Sequence, residues 1–198
     1  FQYPFRSRTV DSVNGASPVV CGERVFLSAS YNTGSACLAA QADGTFAELW
    51  TDRHLGLQFS TPVYEDGVLY LLDGVADRAG ALVALDPATG ATLARTELGW
   101  DEELGKDGAK KTQPFTVGEG SLLWADGKLL CLGDNGHLLL LAASREGAKI
   151  LARAWLFGAN ESWTPPVVSR GLLYLRQTKP ERFGDDPPRL LCYDLRAP

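Results

Sequence analysis

The feature that most restricts this chain is a ten-residue pattern written four times, at residues 17–26, 61–70, 121–130 and 165–174. The second copy reads Thr61-Pro62-Val63-Tyr64-Glu65-Asp66-Gly67-Val68-Leu69-Tyr70. Each copy is a short apolar run, a turn that holds a glycine, and a second apolar run, and the four align without a gap. Glycine reaches positive φ with no Cβ clash, so a tight reversal between two strands forms most easily there. The copies begin 44, 60 and 44 residues apart. Self-similarity at such a period means stacked units, as in a propeller or a solenoid.

Each copy continues in the same way. A third apolar run follows, at residues 36–40, 81–85, 138–141 and 190–193, and runs this short bounded by Gly, Asp and Pro read as strands covered on both faces. A corner comes next in the first three copies, best written as Asp86-Pro87-Ala88-Thr89-Gly90, and then a fourth run at 46–50, 92–96 and 149–155. Four short antiparallel strands per unit describe a propeller blade. The expected fold is all-β, with four-stranded antiparallel blades at about 16–57, 58–117, 118–160 and 161–195 in a single region spanning 1–198. Residues 1–15 are then an outer strand or linker of a preceding or closing blade. The fourth unit ends after its third strand, and four such blades make an unusually small ring. The chain therefore reads as part of a larger ring, whose missing blades come from a longer chain or from self-association.

Composition removes several function classes. The net charge of −5 disfavours a grip on phosphate backbones, so no nucleic-acid partner is expected. No apolar run approaches the 18 or so residues of a membrane helix. Cys21, Cys37, Cys131 and Cys192 are too widely spaced for a CxxC knuckle, and His54 and His137 have no metal-like neighbours. Three cysteines sit inside apolar strands, whereas Cys21 lies in a turn where exposure is expected. There is no GxxxxGK[ST] loop and no GxSxG elbow.

Two stretches interrupt the repeat. Residues 99–111 are charged and Gly-rich, which marks an inserted surface loop, and 177–188 carry Pro180, Pro187 and Pro188 with mixed charge. Insertions tend to collect on one rim of a repeat protein, and loops on a rigid scaffold are where binding resides. The charges Arg176, Lys179, Glu181 and Arg182 read by default as solvated surface. Residues 31–35 (Tyr31, Asn32, Thr33, Gly34, Ser35) form a polar loop that either faces a channel or simply turns. Trp100, Phe115 and Trp124 read as core or blade-interface plates.

The order of apolar strand, Asp-Gly turn, Leu-Tyr strand, Leu-Asp and then Thr-Gly resembles the PQQ-like, quinoprotein-type β-propeller repeat over about residues 16–195. Asp66-Gly67-Val68-Leu69-Tyr70 and Ala84-Leu85-Asp86-Pro87-Ala88-Thr89-Gly90 carry it best. Repeats of that family usually place a Trp shortly after the last Gly. Here Ala94 takes that place, while Trp50 and Trp155 keep a Trp in the fourth strands of the first and third units. The resemblance implies six to eight blades, most often eight, so that this chain is half of a seven- or eight-bladed ring, and it implies a bacterial periplasmic or extracellular setting.

Two functional readings follow from it. In the first, the propeller is a non-catalytic scaffold or binding module that meets a protein or small-molecule partner at its rim or channel. The outer-membrane assembly propeller of Gram-negative bacteria is the family precedent, and no cofactor is expected. The alternative is a dehydrogenase of alcohols or sugars, dependent on PQQ and Ca²⁺, in which hard oxygen ligands surround the ion and a carboxylate acts as base. Asn160, Glu161 and Trp163 are the cofactor-binding candidates, because they alone combine oxygen ligands with an aromatic face. No catalytic or metal-ligating residue is assigned. The adjacent-cysteine pair of alcohol-oxidising members is absent from the sequence.

Overall fold

The computed structural model describes residues 2–74, 80–105, 110–182 and 184–196. Every regular element among them is a strand, and the strands form successive antiparallel meanders. The first sheet runs β1 (Val19–Cys21), β2 (Arg24–Ala29), β3 (Gly34–Ala40) and β4 (Phe46–Asp52) in that spatial order. The second runs β5 (Val63–Glu65), β6 (Val68–Asp73), β7 (Ala81–Leu85) and β8 (Thr92–Glu97). After a separate hairpin of β9 (Gly99–Leu104) and β10 (Lys111–Thr116) comes a third sheet. It holds β11 (Gly120–Ala125), β12 (Lys128–Gly133), β13 (His137–Ser144) and β14 (Gly147–Trp155). The fourth has three strands, β15 (Val167–Ser169), β16 (Leu172–Arg176) and β17 (Leu190–Asp194). Three four-stranded meanders and a three-stranded one, in tandem, are the blades of an all-β propeller. Residues 2–18 join none of these sheets.

Strand alternation builds the core between blades. In β6, Leu69 and Leu71 face the first blade, where they meet Cys21, Phe26 and Leu57. Val68, Tyr70 and Leu72 face the third blade and pack on Leu129, Cys131 and Leu139. Strand β7 repeats the division, with Val83 and Leu85 on one side and Leu82 and Ala84 on the other. A smaller cluster of Leu132, Phe157, Leu173 and Leu175 joins the third and fourth blades. Two-sided burial explains why these strands read as unbroken apolar runs rather than alternating ones. Trp124 stacks on Tyr70 at 5.6 Å across the second interface, as a plate between sheets.

The repeated turn is confirmed in detail. Asp66 and Gly67, Asp126 and Gly127, and Arg170 and Gly171 each take positive φ at both central positions, the two-residue hairpin geometry that matches strand twist. A second repeat is visible only in three dimensions. The register between third and fourth strands shifts at Cys37/Leu38, Ala84/Leu85 and Leu140/Leu141. In each case one extra residue is accommodated on the outer strand, and it is a leucine: Leu49, Leu93 or Leu151.

Two expectations need correction. The described part of 99–111 is not a plain loop, because Trp100 pairs with Phe115 and Glu102 with Gln113 in a hairpin of six residues a side, while 106–109 lie outside the described residues. Its inward row is Trp100, Glu102 and Leu104, and the charge in the middle of that row hid the period of two. Cys21 is fully buried between the first two blades, and Cys192 is the exposed thiol. Trp50 and Trp155 both lie in fourth strands, as expected, but at different places along them. Trp50 crosses to the next blade, donates from Nε1 to the Pro87 carbonyl at 3.0 Å, and lies flat on Gly90, where a Cβ would meet its ring at 2.8 Å. Trp155 sits at the far end of β14 opposite His137, and Ala152 holds the register position that corresponds to Trp50.

Two glycine substitutions separate backbone strain from close packing. Gly67→Ala places a side chain at φ +78 with nothing within 4 Å, so it should cost about 1–2 kcal/mol from the left-handed conformation alone. Gly34→Ala, at φ +86, drives a Cβ into the backbone of Asp52 and Arg53 and should cost at least about twice as much. Urea midpoints check this, and equal losses would show that the Gly34 contact yields freely. Leu71→Ala, fully buried, should cost roughly 2–5 kcal/mol in the same assay.

Candidate functional site

Both insertions converge on one end of the third blade. The hairpin β9–β10 lies over the start of β13 and the end of β14, and the long loop between β16 and β17 reaches the segment that leaves β14. Together they wall a cleft of about 440 Å³ lined by Leu104, Gln113 and Phe115 from the hairpin, Asn135, Trp155 and Gly158 from the third blade, and Arg182 from the long loop.

The floor of this cleft is rigid because of what lies beneath it. His137 is 1% exposed and stacks parallel to Trp155 at 4.8 Å. Trp100 meets the imidazole edge-on at 4.9 Å, and Phe115 closes a third side at 5.1 Å. Neither imidazole nitrogen has a hydrogen-bond partner, and the nearest carboxylate, Glu102, stands 3.5 Å from Nε2. Glu102 is instead held by the Trp100 indole N–H at 2.9 Å and by Arg153 at 3.2 Å, while the Arg153 guanidinium lies 5.2 Å over the Trp100 ring. Burial pushes the His137 pKa down to about 4, with Glu102 opposing and Arg153 adding to the drop. His137 is thus a neutral ring within an aromatic box at ordinary pH.

Hydrogen bonds fix the walls. The Trp155 indole donates to the Asn135 carbonyl at 3.1 Å, and the Asn135 side-chain amide donates to Asp134 at 2.8 Å. Asp134 is itself 5% exposed, and burial, with the nearby Glu119 charge, lifts its carboxyl to about 7. Burial raises Glu119 as well. On the opposite side, Glu181 accepts from the Gly158 N–H at 2.7 Å, and the Arg182 N–H donates to the Gly158 carbonyl at 2.8 Å. The mixed-charge loop is therefore tied down at Glu181, whose side chain is only 14% exposed, rather than solvated throughout.

The three cofactor candidates lie on the loop between β14 and β15, beside this cleft and outside its lining. Asn160 is exposed. Glu161 takes positive φ at 60° and forms an ion pair with Lys179 at 3.2 Å. Trp163 stacks on Phe59 at 4.1 Å with the planes 11° apart, so one of its faces is already covered, and its carbonyl accepts from Ser121 Oγ at 2.9 Å. Among the described residues no group of three His, Cys, Asp or Glu side chains converges as a metal site. Glu161 is thus already paired with a cation, and a ring stacked on Trp163 would have to use its other face. The cleft residues escaped sequence reasoning, because Trp155, Gln113 and Asn135 meet only through the hairpin's fold. The signal that was available was the position of the two insertions.

No family model matches the chain, and no curated protein does. Among solved structures, BamB from Moraxella catarrhalis aligns at 17% identity with a TM-score of 0.46, over 89% of this chain and 60% of that one. The chain thus spans three-fifths of the length of that neighbour. A GH43 endo-arabinanase from Bacillus licheniformis aligns at 12% identity with a TM-score of 0.28, over 96% of each chain.

The two buried titrating groups push stability in opposite directions with pH. His137 has a folded pKa below its unfolded value of 6.5, so stability is lost as pH falls from 6.5 toward 4. Asp134 has a folded pKa above its unfolded value of 3.8, so stability is lost as pH rises from about 4 toward 7. His137→Phe, which keeps a ring in the box, should make stability fall more steeply with rising pH than in the parent. Asp134→Asn should make it rise instead between pH 4 and 6.5. Urea midpoints at four pH values give the two slopes, and identical slopes in both variants would show that neither group titrates as its surroundings dictate.

Proposed function

We propose that this chain is a binding module built on a propeller, with no chemistry of its own, that holds a polar small molecule or a protruding loop of a partner protein in the cleft between its two insertions. The observation that carries the reading is the convergence of both repeat-breaking segments on one rigid concavity. The described lining offers an aromatic floor, two side-chain amides, a guanidinium and a backbone glycine, the usual means of orienting a polar ligand. It holds no carboxylate, thiol, hydroxyl or imidazole to act as base or nucleophile. The buried thiols Cys21 and Cys131 support the same reading, since burial raises both to about 12, far from a reactive thiolate. No helix among the described residues is long and apolar enough to cross a membrane. A periplasmic or extracellular setting, as the quinoprotein-type resemblance implies, completes the proposal.

The test uses the indole N–H resonances of the five tryptophans as position markers in ¹⁵N spectra. Titration with oligosaccharides and short peptides should move the Trp155 signal and leave Trp50, in the far blade interface, unchanged. Gln113→Ala should weaken such binding roughly tenfold, the usual worth of one well-made hydrogen bond to a ligand. Addition of PQQ with Ca²⁺ serves as the opposing arm. A saturable shift of Trp163 there, with none at Trp155 for any other ligand, would replace the binding module with a quinoprotein.

A further inference from the structure

A second, larger cavity of about 740 Å³ opens against the first blade. Three segments wall it: residues 3–9, the turn between β2 and β3, and the outer strand β4 with the residue that follows it. The guanidinium-bearing residues Arg6, Arg8 and Arg53 line it, and none takes part in an ion pair among the described residues. Glu48 is the only carboxylate in the lining, so the wall carries a charge of +2 on a chain whose net charge is −5. That carboxylate is already engaged, because the Tyr3 hydroxyl donates to it at 2.5 Å.

We propose that this cavity is a binding site for a small ligand carrying two or more oxyanion groups, phosphate or carboxylate. Guanidinium forks match such groups in plane and in charge, and three without a carboxylate partner around one concavity focus attraction that the rest of the surface opposes, although Arg6 Nε also donates to the Ser7 carbonyl at 3.4 Å. The segment that presents them is shaped for the purpose. Ser7 is buried, and its hydroxyl oxygen accepts from the Thr9 N–H at 3.0 Å, which sets the bend from which Arg8 projects. Opposite, Tyr31 and Asn32 adopt left-handed φ of 58° and 61°. Glycine, Asn and Asp are the residues suited to such a turn, and a tyrosine at its first central position breaks the local rule. Rules of this kind are commonly broken at functional positions. The Tyr31 phenol oxygen accepts from Gln58 Nε2 at 2.7 Å, which leaves its own O–H as a donor at the cavity wall. The polar loop that the sequence left undecided between channel and turn thus both turns and lines a basin.

The experiment is calorimetric titration of the whole chain with pyrophosphate and, separately, with citrate, at low salt and again at high salt. Glucose is the neutral control. Both anions should bind saturably, and affinity should fall as salt rises, because exposed charges are screened. Arg53→Gln and the pair Arg6→Gln with Arg8→Gln should each lose about tenfold or more in affinity, while the melting temperature without ligand stays near that of the parent. The stronger of the two anions identifies phosphate or carboxylate as the favoured group. Gln113→Ala, in the other cleft, should leave anion binding unchanged, which keeps this site independent of the proposed binding cleft. Binding that survives removal of all three arginines, or no binding of either anion at millimolar concentration, overturns the proposal. So does glucose binding of equal strength.

Discussion

The structure depends on sheets that are buried on both faces. A blade has no core of its own, since its side chains point alternately to one neighbour and to the other. Leu69 and Leu71 serve the first interface while Tyr70 and Leu72 serve the second, from a single strand. Stability therefore resides between repeats, and each blade needs a partner on either side. The same constraint explains the apolar richness of the second and third strands. It also explains the large plates, Trp124 on Tyr70 and Trp50 on Gly90, that fill the wedge between tilted sheets.

Much of this architecture was legible because it is local. An apolar run, a glycine at positive φ and a second run specify a hairpin without reference to anything distant, and β7 spans the very residues read as a third strand. The failures have a common physical cause. In the hairpin β9–β10, Glu102 points inward because Trp100 and Arg153 satisfy it, and a satisfied inward charge is indistinguishable from an exposed one in a string of letters. Cys21 looked exposed as a turn residue, but it closes β1 opposite Arg24, where the next blade covers it. Asn160, Glu161 and Trp163 are neighbours in sequence, and three-dimensional partners such as Lys179 for Glu161 and Phe59 for Trp163 are likewise invisible there.

The candidate site shows how a repeat protein acquires individuality. The blades supply a rigid base, and whatever departs from the repeat supplies recognition. The hairpin could not sit on the third blade without the aromatic box around His137, and that box places a neutral imidazole where water is excluded. Such burial of unpaired nitrogens is unfavourable in itself. Its return is a cleft floor of two aromatic rings, Phe115 and Trp155, locked to Trp100 through the imidazole so that none shifts independently, which a weakly held loop would not provide.

The extra leucine in each outer strand has a consequence beyond the single molecule. The strands β4, β8 and β14 lie at the margins of their sheets with backbone N–H and C=O groups open to pairing, and such a margin is a template for another chain. A bulge breaks the even spacing of those groups and coils the strand away from flatness. Leu49, Leu93 and Leu151 interrupt each margin at the same register, so a foreign strand that begins to zip along it loses step after a few residues. A fold made of stacked sheets thereby carries, in every complete unit, its own guard against growing into a fibre.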